Sequence, residues 1–396
     1  MDSISVFDSL VEFEAINRLK WEYEIQRTGN CNLIGFGTAD MDFLSPEPIR
    51  SAICQAARVG HLGYQGETDR YYDSIANWMM KLSGWQIDAK RTVSTNASIY
   101  SAAWAAIDAF TEPGDEIVIQ TPVHFCFNEM IRDNGRITVM NPLRITSDRY
   151  EMDFENLEKC ITKKTKMLWL CNPHNPVGRA WDKNELERLS DICLRHDLII
   201  MSDDVYCALT YPGYQYTPIA MLSPEVSRNT IILNSPSKTF NVTGLKHAFV
   251  ITENPVLLEK YNKSRRKIGL DYGINIVGVA ATIAALNQCD NWVAGLMQHI
   301  QHNYDLLNSI LSESMPQIKM TRPDSTYFAW LDFNFLPLSA NERKELFEKE
   351  AEVIVAMGDV LGKGGEGYVR LNLACRSELI GKVAKRITDA CRAYMD

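Results

Sequence analysis

The chain has 396 residues, 46% of them apolar and 23% charged, with a formal net charge of −9. This is the composition of a soluble globular protein, long enough for two domains or for one large and one small. The acidic balance argues against nucleic acid or an anionic membrane as the main partner, and the one dense basic run, Lys263 to Lys267, reads as a solvated helix face.

No secretory signal is expected, since the N-terminus Met1-Asp2-Ser3-Ile4 lacks a basic start and a long apolar core. No apolar run approaches the roughly 20 residues that span a bilayer. The ten cysteines form no CxxC and no Cys/His cluster at zinc spacing. No metal site is expected, and free thiols in a cytoplasmic setting are.

From residue 90 to about 250, short apolar runs alternate with helical patterns. The runs are Glu116 to Ile119, Met167 to Leu170, Leu198 to Met201, Ile231 to Leu233 and Ala248 to Ile251. Lys183 to His196 carries apolar residues at helical spacing between them. Strand–helix alternation with nearly continuous apolar strands predicts an α/β fold, a mostly parallel sheet covered on both faces. A long helical stretch is predicted from about Gly278 to Ser312. Two further strands, Tyr327 to Leu331 and Tyr368 to Leu373, and a helix from Ser377 predict a smaller α+β domain. The glycine-rich Gly362 to Gly367 precedes a strand and lacks the Lys-Ser/Thr ending of a phosphate loop, so it reads as a turn.

Ligands of open α/β sheets bind beyond the carboxyl ends of the strands. Three predicted strands end there in chemically active groups. Met167 to Leu170 leads into Cys171-Asn172-Pro173-His174-Asn175-Pro176-Val177-Gly178, Leu198 to Met201 into Ser202-Asp203-Asp204-Val205-Tyr206, and Ile231 to Leu233 into Asn234-Ser235-Pro236-Ser237-Lys238. An amide, a carboxylate with a phenol, and a lysine among hydroxyls thus meet at one edge. A lysine there can form an imine with an aldehyde cofactor, and the hydroxyls can hold that cofactor's phosphate.

These motifs resemble the fold type I pyridoxal 5'-phosphate enzymes of the aspartate aminotransferase superfamily, over nearly the whole chain. More narrowly, Ala39 to Phe43, Gly63-Tyr64, Gly84-Trp85, Thr121 to Val123, Cys171 to Arg179, Ser235 to Leu245 and Gly365 to Asn372 resemble the cystathionine β-lyase (C–S lyase) branch typified by MalY and PatB. The resemblance implies a large domain with a mostly parallel seven-stranded sheet over 45–285, a small domain over 286–396, and a segment 1–44 packed on the small domain. It implies that Lys238 carries the cofactor and moves protons, that Asp203 pairs the pyridine nitrogen, and that Asn175 and Tyr206 bond the ring oxygen. The phosphate is expected at the helix N-terminus after Ala97, Ser98 and Ile99, with Ser235, Ser237 and Lys246 as further donors. Arg370 is expected to clamp the substrate carboxylate beside Ala39 and Asn175. Tyr64 is expected to reach the phosphate of a neighbouring subunit, which makes a homodimer with shared active sites.

Three positions depart from the branch. His124 stands where a stacking aromatic, mostly tyrosine, is usual. Tyr206 ends Asp203-Asp204-Val205-Tyr206 where the branch reads Asp-Glu-Ile-His, and Asn96-Ala97-Ser98 replaces Pro-Gly-Val. They bear on the reaction rather than on the cofactor. β-Elimination from a sulfur-containing amino acid is expected, with amino transfer, or a specialised β- or γ-replacement or cyclisation, as alternatives. A cofactor-sensing regulator is disfavoured, since the fold leaves no room for a DNA-binding domain.

Overall fold

The computed structural model describes residues 7–8, 17–146, 149–270 and 274–395. Its centre is a seven-stranded sheet. In chain order the strands are β1 Val93–Asn96, β2 Glu116–Thr121, β3 Ile137–Pro142, β4 Thr165–Cys171, β5 Ile199–Asp203, β6 Thr230–Asn234 and β7 Ala248–Ile251. The spatial order is β1-β7-β6-β5-β4-β2-β3. Strands β3, β2, β4, β5 and β6 run parallel, and β7 lies antiparallel to both β6 and β1. That reversal matters for the site. The residues before β7 share the edge where β1, β4, β5 and β6 end.

Alternation along the strands builds two cores. Ile117, Ile119, Met167, Trp169, Ile231 and Leu233 face one side, where helix α1 (Ile99–Phe110) packs its alanines against them. Val118, Leu168, Leu170 and Ile200 face the other, against Leu186, Leu189 and Ile192 of helix α2 (Lys183–Arg195). Both helices start where capping boxes satisfy their first N–H groups: Ser98 with Ser101, and Asp182 with Glu185.

The expected long helix is two. Ile276–Gln288 ends at Cys289, whose φ of −115° and ψ of 20° leave the helical region, and α3 (Asp290–Ser314) starts at the next residue. Apolar spacing continues across the break, which is why periodicity alone did not divide it. A four-stranded antiparallel sheet follows, β8 Lys319–Met320, β9 Phe328–Asp332, β10 Ala356–Met357 and β11 Tyr368–Asn372, in the order β8-β9-β11-β10. Helix α4 (Ser377–Arg392) and α3 bury Ile380, Val383, Leu307 and Leu311 in a core with this sheet. The described part of the segment 1–44 joins that core: Phe36, Met41 and Phe43 pack into it, and Ile34–Gly35 pairs in parallel with Val353–Ile354. Residues 1–6 and 9–16 of that segment lie outside the described residues.

Candidate active site

A cleft with about 680 Å³ of space not filled by protein atoms opens at the carboxyl edge of the large sheet. Each wall comes from a strand end. After β1, Ser98 and Ile99 open α1. After β2 comes His124, and after β4 comes Asn175. Strand β5 ends at Asp203, with Tyr206 one turn on. After β6 come Ser235, Ser237 and Lys238, and Lys246 precedes β7. Ten of the expected site residues therefore line one cavity.

Lys238 sits among buried groups. Burial, and then the positive charge of Arg370, lower its pKa from 10.5 to about 8, against the pull of Asp40 and Asp203. Asp203 is buried, and burial raises its carboxyl to about 6. Its one side-chain hydrogen bond among the described residues is accepted from the Val205 N–H at 3.2 Å. A positive ring nitrogen placed against that carboxyl would return it to its ionised form. Burial, followed by the charges of Arg370 and Lys238, lowers His124 to about 3, so its imidazole is neutral; it stacks on Phe125 with 4.7 Å between centroids.

Arg370 comes from β11 of the small sheet and is 5% exposed. Its Nη1 donates to Asn175 Oδ1 at 2.8 Å and its Nη2 to the Gly37 carbonyl at 2.7 Å, with the guanidinium 4.1 Å above the Phe328 ring. Nε is buried and unbonded, and no carboxylate pairs with Arg370 among the described residues. A buried cation without a counter-ion calls for an anionic ligand. By taking Oδ1, Arg370 also sets the Asn175 amide, leaving Nδ2 as the end that can donate.

The motif Asn172 to Gly178 owes its last residue to packing. Gly178 has φ +73°, and a Cβ there would meet Pro323 Cβ at 2.7 Å.

Ser98 Oγ accepts the Ser101 N–H of α1, so the N–H groups of Ile99 and Tyr100 remain for an anion. Ser235 lines the cavity, with its hydroxyl donating to the His247 carbonyl at 2.7 Å and its oxygen accepting the Ser237 N–H at 3.1 Å. Neither Ala97, which precedes the cap, nor Ala39 lines the cavity; Ala39 packs against the small-domain core, and its carbonyl accepts from Tyr327 Oη at 2.6 Å. Tyr64 does not line the cavity; it stands 90% exposed.

Sequence reasoning missed Tyr100, Phe127, Cys171, Val205, Thr243 and His247 in the lining, and Tyr327 beside Tyr206. His247 was within reach, since it adjoins Lys246 at the start of β7; its Nε2 lies 3.0 Å from Tyr71 Oη. Phe127 and Tyr327 sit in apolar runs that read as core, and nothing in their spacing sets them apart.

A fold of this topology, with a lysine and a buried carboxyl in one cleft and an arginine bonded to the Asn175 that lines it, defines a class of cofactor-dependent enzymes acting on amino acids. The chain belongs to the family of class I and II aminotransferases, whose pattern matches residues 32–387. It is 34% identical over 385 residues to cystathionine beta-lyase PatB of Bacillus subtilis, covering 97% of this chain and 99% of that protein. Among solved structures it is similar to cystalysin from Treponema denticola, which contains pyridoxal 5'-phosphate (TM-score 0.94, 29% identity, 98% of each chain). It is also similar to the pyridoxal 5'-phosphate-bound C-S lyase from Staphylococcus hominis (TM-score 0.89, 27% identity, 97% of each chain).

Proposed function

We propose that this protein is a pyridoxal 5'-phosphate-dependent C–S lyase: it removes a β-thiolate from a sulfur-containing L-α-amino acid, giving thiol, pyruvate and ammonia. The observation that carries this reading is the convergence of Lys238, Asp203 and Asn175 on one cleft, with Arg370 bonded to that Asn175 from behind the lining. Kinship to cystathionine β-lyases along nearly the whole chain favours elimination over amino transfer.

When bound, the cofactor supplies an electron sink that makes the Cα–H bond of an attached amino acid acidic. Lys238 would hold it through Nζ. With a pKa near 8, that amine has a neutral fraction at physiological pH and can take the Cα proton and pass it on. Asp203 would face the ring nitrogen and Asn175 Nδ2 and Tyr206 the ring oxygen, with the neutral His124 against the ring face. The phosphate would meet the N–H groups that open α1, with Ala97 and Ser98 at its approach and Ser237 and Lys246 as further donors. The Ser235 hydroxyl, spent on His247, would hold the loop rather than the phosphate.

Arg370 would grip the substrate carboxylate with the guanidinium edge that protein atoms leave free. Tyr64 belongs to this reading as the partner subunit's contribution in a homodimer, and its exposure on the single chain is what such a role requires. A division into a large and a small domain is supported by the two separate sheets, although residue 285 falls inside the helix Ile276–Gln288. A cytoplasmic setting is supported by ten free cysteines and, among the described residues, by the lack of any helix long and apolar enough to cross a membrane.

The test is to incubate the cofactor-loaded protein with cystathionine, with cysteine, and with L-norvaline, which has no leaving group and whose keto acid is not pyruvate. Thiol and pyruvate release from the first two is expected. Conversion of the cofactor to its amine form with all three, without pyruvate, would replace this reading by an aminotransferase.

A further inference from the structure

Between the turn that carries Lys238 and the sheet that carries Arg370 runs the segment Gly37–Phe43, tied down along its whole length. From the small-domain side, Arg370 donates to the Gly37 carbonyl at 2.7 Å, Asn372 Nδ2 to those of Thr38 and Asp40 at 2.8 Å, and Tyr327 Oη to that of Ala39 at 2.6 Å. The Asp42 N–H donates to the Ala374 carbonyl at 2.9 Å. The buried Lys20 donates to the Asp40 carbonyl and to the Asp42 carboxylate, both at 3.1 Å.

From the lysine side one side chain makes the connection. Asn241 lies three residues beyond Lys238. Its Oδ1 accepts the Met41 N–H at 3.0 Å, and its Nδ2 donates to the Met41 carbonyl at 3.1 Å and to the Phe43 carbonyl at 2.8 Å. Its own carbonyl accepts from Ser45 Oγ at 2.9 Å. The amide therefore takes both main-chain groups of one residue, as a neighbouring strand would. Asparagine suits the place twice over. Its φ of 55° lies in the left-handed region that this residue tolerates. Only a primary amide of this length offers an acceptor and two donors together.

We propose that Asn241 is a positioning residue for substrate binding: through the segment 37–43 it sets the distance between the Lys238 amine and the Arg370 guanidinium. The proposal rests on the reading of the site given above. A substrate held by its carboxylate at Arg370 and joined near Lys238 needs those two groups placed to within about 0.5 Å. No other side chain of residues 238–241 bonds to the segment among the described residues.

The experiment uses the cofactor-loaded enzyme and an α-methyl amino acid, which binds but has no Cα proton to lose. Its dissociation constant is read from the change in cofactor absorbance, beside steady-state kinetics on cystathionine. Asn241→Ala is expected to keep the visible cofactor band, to weaken the analogue about tenfold, the scale of one net hydrogen bond, and to raise KM more than it lowers kcat. Asn241→Asp, which keeps the acceptor, falls between. In an Arg370→Ala background the same substitution is expected to change the dissociation constant less than twofold, because the arginine through which it acts is gone.

Unchanged analogue binding in Asn241→Ala overturns the proposal, as does an equal loss in both backgrounds. Should Asn241→Ala not fold, Asn241→Asp carries the same comparison with the same outcomes. A wild-type protein that forms no cofactor band overturns the reading of the site, and this inference with it.

Discussion

Replacing Arg370 with methionine separates what the residue does for the fold from what it does for the substrate. The guanidinium has five N–H donors, and protein atoms take two of its groups: Nη1 with Asn175 Oδ1 and Nη2 with the Gly37 carbonyl. The buried Nε is left for a ligand. A carboxylate that accepts two charge-assisted bonds gains roughly 1.5–3 kcal/mol from each, so their loss predicts a fall in kcat/KM of about 10² to 10⁴. The effect on stability should be far smaller. Burial holds the Arg370 pKa below its usual value, so the fold already bears the cost of a desolvated cation. Methionine removes that cost, about several kcal/mol, while leaving two acceptors unmet at about 1–3 kcal/mol each. The two nearly offset, and the cofactor-free Arg370→Met protein should melt within a few degrees of wild type. Pyruvate release from cystathionine and a thermal melt measure both. A kcat/KM within tenfold of wild type would refute the carboxylate assignment, and a collapse of stability would refute the argument about the uncompensated charge.

Three further outcomes are expected. Lys238→Ala should lose the visible cofactor band and all turnover; a variant that still turns over would remove Lys238 from the chemistry. His124→Tyr should still bind cofactor but alter the ratio of pyruvate release to amino transfer, and an identical ratio would reduce His124 to a stacking ring. Asp204, fully buried and bonded by Ser202 and Tyr216, has its pKa raised to about 7, first by burial. A carboxyl raised on folding stabilises fully below its unfolded pKa near 4, and that contribution is lost as pH rises through 7. Asp204→Asn should therefore flatten the fall in melting temperature of the cofactor-free protein between pH 5 and pH 8; an unchanged slope would show that Asp204 does not titrate there.

Much of this was legible before any fold was known, for a local reason. Ligands of a parallel sheet bind beyond its strand ends, so each candidate site residue lies at the end of an apolar run or a few positions past it. Lys238 follows Thr230–Asn234, Asp203 closes Ile199–Asp203, and Asn175 follows Thr165–Cys171. The commitment of the Ser235 hydroxyl to His247 was not legible, because the carbonyl it finds is held in place by the reversed strand β7. Nor was the break at Cys289, where apolar spacing runs on through a change of direction.

What the amino-acid order determined by itself is the set of reactive groups and the strands that end in them, because both follow from short-range pattern. What tertiary structure alone decided is their electrostatics. Lys238 and Asp203 are shifted toward neutral pH by burial, which needs every surrounding element in place. Arg370 is a candidate anion site only because the small sheet brings it to Asn175, 195 positions away, with no carboxylate paired to it among the described residues. A pKa and an unpaired charge are properties of the surroundings in space, and no stretch of chain contains its own surroundings.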